Sequence, residues 1–541
     1  MAQHKKSSSG ISRRQFLQGG VGAASALALM PLARAAGVSP ERLIAAAQAN
    51  GGTLVFAAES MGETLETGLW NGFGSIHVTD NVGEGLIRSN FVSGEPTPGL
   101  AESWTISDDS LTYTFTLRAG ATFHDGTPVT APAVVRSFTR MIDDTDPSYL
   151  PGLYMASGHG STNFASMTAL DDQTIEMVLN ARDATQLHRL ARPSAMPISP
   201  AALDAQGTDI GTMPVMAGPF MLERFVPGQE AVLRAFEGYY GGTPAVDTLV
   251  IRAYPDEASI LAALEAGEVQ FTLYAPFSAV PRLQASDNIT VDVGAPFVDL
   301  FLGCNCSLEL TGNIDIRMAI NYAINRETLI IGALNGFGEL PASILSPTDL
   351  GFDESFRAIS TQNLELAASH LAASGVATPI AIELSYENNR FWPLIAQLVK
   401  ADLDAVGFSV TLDPLDPGSF WGKAGDSNMQ LGLNQRSTFV PDPNDKATIL
   451  HSITSPGALT YHQALPTAAE LDALIDAGIA ELDPAARVEI YQQIQQMAID
   501  QMMYVYLAYL TPPVFYAKTL ANVPSDSASS GRVNLDSVTF A

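Results

Sequence analysis

Hydrophobic positions recur along this chain with two periods, and the stretches that carry them alternate. "GGTLVFAAE" at 51–59 is an unbroken apolar run after a glycine pair, which predicts a buried strand. "LTYTFTLRAG" at 111–120 sets Leu, Tyr, Phe and Leu against Thr with period two. That is a half-buried strand, closed by Ala119-Gly120. "DEASILAALEAGEVQF" at 256–271 reads as a helix with Asp256 as N-cap, Ile260 and Leu264 on one face and Gly267 as its stop. Leu471, Leu474, Ile475, Ile479 and Leu482 repeat at helical spacing, and a second helix opens at Asp483-Pro484 with Val488, Tyr491, Ile494 and Ala498 as its stripe. These stripes are core. The class that follows is mixed α/β in more than one lobe, without internal repeat or low-complexity linker.

Charge changes the picture at the N-terminus. The first 35 residues carry Lys5, Lys6, Arg13, Arg14 and Arg34 and no carboxylate, and they end in "LARA", where Ala33 and Ala35 supply a small-x-small cleavage pattern. Residues 1–35 therefore predict an export signal, cleaved between Ala35 and Ala36. The apolar stretch from Phe16 to Leu32 is diluted by Gly19, Gly20 and Gly22 and closed by Pro31. It falls short of the ~20 strongly apolar residues of a spanning helix. "SRRQFL" resembles the twin-arginine signal, which sends folded proteins across a bacterial inner membrane.

The whole chain has a net charge of −29, and removing the five leader cations leaves 23 cations against 57 carboxylates, a net of −34 over about 500 residues. That length exceeds one core and predicts two or three domains. That charge argues against nucleic acid or an anionic membrane as partner. A soluble periplasmic monomer is expected.

Candidate chemistry is sparse. Cys304 and Cys306 in "GCNC" would share a face of a strand, and two buried thiols, a vicinal disulfide or a metal site remain open in that order. The eight histidines form neither H-x-x-H nor H-E-x-x-H, and neither G-x-S-x-G nor G-x-x-x-x-G-K occurs. "DDTDPS" at 143–148 lacks the glycine and terminal Glu of a calcium loop and reads as a solvated turn. With 57 carboxylates a paired-acid hydrolase is possible by count, yet no motif selects two of them. These patterns select no catalytic residue, metal or cofactor, and it is the family resemblance of the next blocks that makes a non-enzyme the expectation.

From Gly85 to Phe138 the segments "GLIRSN" and "PTPGLAESWTISDDSLTYTFTLRAGATFHDGTPVTAPAVVRSF" resemble the signature region of the family 5 solute-binding proteins, the peptide/nickel group serving ABC importers. Three further blocks agree in order: "GPFMLERFVPGQEAVLRAFEGYYGGTPAVDTLVIR" at 218–252, "DIRMAINYAINRETLI" at 315–330 and "AAELDALIDAGIAELDPAARVEIYQQIQQM" at 468–497. Physically these blocks are mostly structural. Asp125-Gly126 supplies a turn, His124 a hydrogen-bonded structural imidazole, Trp104 a core anchor, and Tyr239-Tyr240-Gly241-Gly242 a strand ending in a tight turn.

The resemblance implies a two-lobed periplasmic binding protein fold (type II, cluster C), with an extra subdomain inserted in the first lobe. By it, the first lobe combines 36–82, 213–298 and 511–541, the insertion is 83–212, and the second lobe is 299–510. It implies a small-molecule or peptide ligand buried between lobes that close by a hinge, and ABC permease subunits as partners.

In peptide binders of this family an acidic residue in a D-Y-x-D-P-like loop receives the peptide ammonium. Here the loop is "NQRSTFVPDPND" at 434–445, with Phe439 at that position and Asp442 at the second acidic one. Arg436 is then free to hold a carboxylate or phosphate, or to pair within the loop with Asp442 or Asp445. Phe439 with Trp421 or Trp392 offers flat apolar walls. Glu59 and Ser60, directly after the first strand, occupy positions where the family places cleft residues, with a turn role as the alternative. Opines, sugars and chelated nickel stay open beside peptides, His451 being the one nearby histidine for a metal.

Overall fold

The computed structural model describes residues 52–69, 72–90, 93–150, 163–437, 442–452, 459–524 and 531–541. The leader lies outside these residues.

The run read as a first strand is Thr53–Ala58, and its last five residues are buried. It runs parallel to Thr248–Ala253 on one side and to Phe271–Thr272 on the other. An apolar run without alternation suits a strand covered on both faces. The full sheet has seven strands, ordered Ile289–Asp292, Val514–Ala517, Phe271–Thr272, Thr53–Ala58, Thr248–Ala253, Glu230–Ala235 and Phe220–Val226. The helix Glu257–Glu265 begins as the sequence predicts, since the Asp256 carboxylate accepts from the Ser259 N–H at 2.7 Å. Gly267 ends it at φ +73°, a left-handed conformation that favours glycine.

A four-stranded antiparallel sheet, in the order Ala101–Ile106, Thr112–Leu117, Thr174–Leu179, Phe164–Ala169, is inserted in this first lobe. Tyr113, Phe115 and Leu117 face its core while the intervening threonines are half-buried, so the period-two pattern stands. Trp104 is half-buried and packs on the edge of that core. His124 donates from Nε2 to the Gly218 carbonyl at 3.0 Å and meets the Phe236 ring edge-on at 5.0 Å. Burial lowers its imidazole to about 4. One expectation shifts: Tyr239 and Tyr240 lie beyond the end of Glu230–Ala235, in the turn itself. The Tyr239 hydroxyl donates to Glu84 at 2.7 Å, and the Arg118 guanidinium stands 4.8 Å over the Tyr240 ring.

The second lobe is built on a six-stranded sheet ordered Gly338–Glu339, Tyr504–Leu510, Val298–Cys304, Leu431–Ser437, Ile380–Glu387 and Phe408–Leu415. All seven residues of Val298–Cys304 are buried. Cys304 and Cys306 are free buried thiols, and burial pushes the Cys304 thiol up to about 12. The paired helices are Ala468–Ala480 and Pro484–Gln501, with Asp483 capping the second through the Ala485 N–H at 2.9 Å. Leu471, Ile475, Tyr491, Ile494 and Ala498 are buried, but Leu482 falls between the helices and is exposed. The chain crosses from one sheet to the other between Asp292 and Val298 and again between Leu510 and Val514. No helix among the described residues is long and apolar enough to cross a membrane.

Candidate functional site

The crossing segments leave a seam where the ends of strands from both sheets meet. On the first-lobe side Thr53–Ala58 runs out into Glu59 and Ser60. The helix Gly72–Val82 packs there so closely that a Cβ on Gly74 would overlap the Ser60 carbonyl oxygen. Ser60 is exposed, and Glu59 lies 3.6 Å from Arg390 Nε of the second lobe. Arg390 also reaches Glu257 Oε1 at 3.2 Å, with the Phe391 ring at 4.9 Å and the first-lobe Tyr274 ring at 5.9 Å. Burial pushes the Glu257 carboxyl up, against the pull of Arg390.

On the second-lobe side the strand Leu431–Ser437 delivers Arg436, opposite Asp299 in register. Arg436 Nη2 donates to the Asp445 backbone carbonyl at 2.9 Å, whereas its Nε is buried without a hydrogen-bond partner. The expected salt bridge within the loop is not formed: Arg436 pairs with neither the Asp442 nor the Asp445 carboxylate. Asp442 caps the short helix Pro443–Ala447 through the Asn444 N–H at 2.9 Å, and its two oxygens take Arg487 Nη1 and Nη2 at 2.8 Å each. The Asp445 carboxylate pairs with Arg192 of the inserted subdomain. Lys446, fully buried, lies 3.1 Å from Asp299, 2.9 Å from Asp349 and 2.6 Å from the Ser346 hydroxyl. Burial pushes the Asp299 carboxyl up to about 7, against the pull of Lys446.

Of the other expected residues, Trp421 reaches this neighbourhood, its side chain hydrogen-bonding Glu387, whose carboxylate feels Glu59 and Arg390, while Trp392 does not. Trp392 opens the helix Trp392–Val406 and is 5% exposed in the second lobe's core. Its spacing to Ile395, Ala396, Val399 and Leu403 is a core stripe. Trp421 is 44% exposed on Pro417–Gly425, edge-on to Phe420 at 5.4 Å. Phe439 lies outside the described residues. His451 has the Asp472 and Asp476 carboxylates at 3.7 and 3.6 Å, and no group of three metal-ligating side chains occurs among the described residues. Arg390, Arg192 and Arg487 were not singled out in the sequence, because each finds its carboxylate in a distant segment and no local spacing marks it.

Comparison with known proteins identifies the family and the fold. The family model for bacterial extracellular solute-binding proteins, family 5, matches residues 95–455. The glutathione-binding protein GsiB of Escherichia coli (strain K12) is 27% identical over 406 residues, covering 74% of this chain and 77% of that protein. The periplasmic binding protein DppA from Helicobacter pylori, solved with the peptide STSA, superposes with a TM-score of 0.82 at 25% identity, over 90% of this chain and 98% of that one. The binding protein AgaA from A.tumefacien R10, solved with agropinic acid, gives 0.79 at 24% identity, over 91% and 99%. At that identity the likeness is one of fold.

Proposed function

This chain belongs to the bacterial extracellular solute-binding proteins of family 5, and on that premise we propose that it is the periplasmic binding component of an ABC importer. It captures a peptide or other small organic solute between its lobes and hands it to the membrane permease without chemical change. We read 36–82, 213–298 and 511–541 as the first lobe, 83–212 as the insertion and 299–510 as the second lobe. The cargo lies between Glu59-Ser60 and the 434–445 segment, with Arg436 beneath it, Phe439 as an apolar wall and Trp421 at the rim. Trp392 and Asp442 are occupied elsewhere and take no part.

One observation carries the reading of the cargo: both carboxylates of the loop are held by protein arginines, Asp442 by Arg487 and Asp445 by Arg192. None remains there for an ammonium group, so the part of the cargo that meets the loop is a carboxylate or a neutral acceptor. Glutathione and agropinic acid, the ligands in the names of two of the relatives, carry carboxylates of that kind; a free peptide N-terminus does not. Native mass spectrometry of protein taken from the periplasm identifies the bound molecule, and calorimetry with it tests the site. Arg436→Ala is expected to cost about 2–5 kcal/mol of binding if it faces a buried anionic group. A loss below about 1 kcal/mol assigns it to the rim. Phe439→Asp is expected to weaken the same ligand by burying an unpaired charge. A bound molecule whose free ammonium contacts the loop would overturn the reading.

Export completes the proposal. The leader is read by the twin-arginine route, and Arg13→Lys with Arg14→Lys is expected to abolish periplasmic accumulation, because Lys presents a different donor geometry from the guanidinium. Undiminished protein in the periplasm of cells lacking that translocase counts against it.

A further inference from the structure

Two arginines cross the seam in opposite directions. Arg390 stands in the turn after the second-lobe strand Ile380–Glu387 and reaches two first-lobe carboxylates, Glu59 after the first strand and Glu257 in the first turn of its helix. Arg192 stands just before the turn Pro193–Ala195 on the inserted side and reaches Asp445 in the second lobe. Each lobe gives one guanidinium and receives the other. Both are sheltered, the side chains of Arg390 and Arg192 being 15% and 10% exposed.

Arg390 is held at φ +50°, a left-handed conformation that a non-glycine residue adopts at a cost. Its neighbour Asn389 anchors the turn, donating from its N–H to the Glu387 carbonyl at 2.8 Å. The guanidinium stands 5.9 Å over the first-lobe Tyr274 ring and 4.9 Å over the Phe391 ring of its own lobe. Both pairs also touch the segments that meet the cargo. Glu59 adjoins Ser60, and the Asp445 that binds Arg192 through its carboxylate holds Arg436 through its carbonyl.

We propose that Arg390 and Arg192 form a two-point latch that holds the lobes shut and biases the protein toward its closed shape before cargo arrives. The proposal rests on the solute-binding reading for its purpose, though not for its test. Partly buried ion pairs are little screened and are broken only by separating the bodies that carry them. Opening therefore uncouples both pairs at once, and the cargo has to supply only the remainder of the bias. The contact between the Ala184 N–H and the Ile479 carbonyl, 2.8 Å across the same seam, is available only in that state.

The experiment measures the lobe separation of full-length mature protein stripped of small molecules by unfolding and refolding, using small-angle scattering. The variants are Arg390→Met, Arg192→Met and the double variant. The expected result is an open-to-closed ratio that rises roughly tenfold for each arginine removed, since the two sites share no partner and their effects add. The exchange Arg192→Asp with Asp445→Arg restores the closed population, which a folding defect would not. Glu257→Gln opens the seam less than Arg390→Met because Glu59 remains. A wild-type protein that is fully open when stripped, or a double variant whose scattering superposes on wild type, overturns the latch. Closed stripped protein that binds neither glutathione nor an opine supports the latch while counting against the proposed cargo.

Discussion

Asp442 and Asp445 stand three residues apart around one short helix, both nearly buried and both paired with arginine, yet they serve different bodies. Asp442 is bound by Arg487 of its own lobe and Asp445 by Arg192 of the other. Residue type and burial do not distinguish them. What does is whether the two charges separate when the protein opens or only when it unfolds. Inside the lobe the pair fixes the shape of the loop; across the seam it fixes the relation of two finished shapes.

The strongest way to break this comparison is to remove the arginines in turn. Arg487→Met leaves Asp442 buried and unpaired and is expected to cost about 3–5 kcal/mol of folding stability, read from urea unfolding. Arg192→Met is expected to cost much less, because the lobes relax apart and water takes up Asp445. Equal losses would mean that the seam is as permanent as the interior.

A second contrast sharpens the same point with apolar groups. Trp392→Ala empties a core position and is expected to cost about 3–5 kcal/mol. Trp421→Ala, at a side chain 44% exposed, is expected to stay within about 0.5 kcal/mol in unfolding, with any effect confined to ligand affinity.

A further contrast is in pH. His77 of the first lobe and His462 of the second are both fully buried, and burial lowers their imidazoles to about 3 and about 4. Unfolded histidine titrates near 6.5, so between that pH and the native values the unfolded chain binds more protons. Stability from each is fully present above about 6.5 and is lost as pH falls toward about 3 for His77 and about 4 for His462. His77→Gln and His462→Gln are each expected to flatten the acid limb of the stability curve by up to about one proton. An unchanged slope would show that neither imidazole is kept neutral by its lobe.

Local features were legible in the sequence and remote ones were not. The caps at Asp256 and Asp483, the alternation of Thr112–Leu117 and the buried run of Thr53–Ala58 follow from neighbours within one turn or two residues. The family blocks added the two-lobed plan. Trp392 was also readable, since its helical stripe marks it as core. Arg390 and Arg192 were beyond reach: an ion pair between lobes has no spacing, and the carboxylates of this acidic chain offer too many equivalent partners.

Both large sheets keep a place, one strand in from an edge, for a strand that follows all its neighbours in sequence. Tyr504–Leu510 lies between Gly338–Glu339 and Val298–Cys304, and Val514–Ala517 lies between Ile289–Asp292 and Phe271–Thr272. While the ribosome is still making the preceding residues, each sheet is split in two, with apolar edges that no later neighbour has covered. A premature stop just before Tyr504 would therefore cripple the two lobes together.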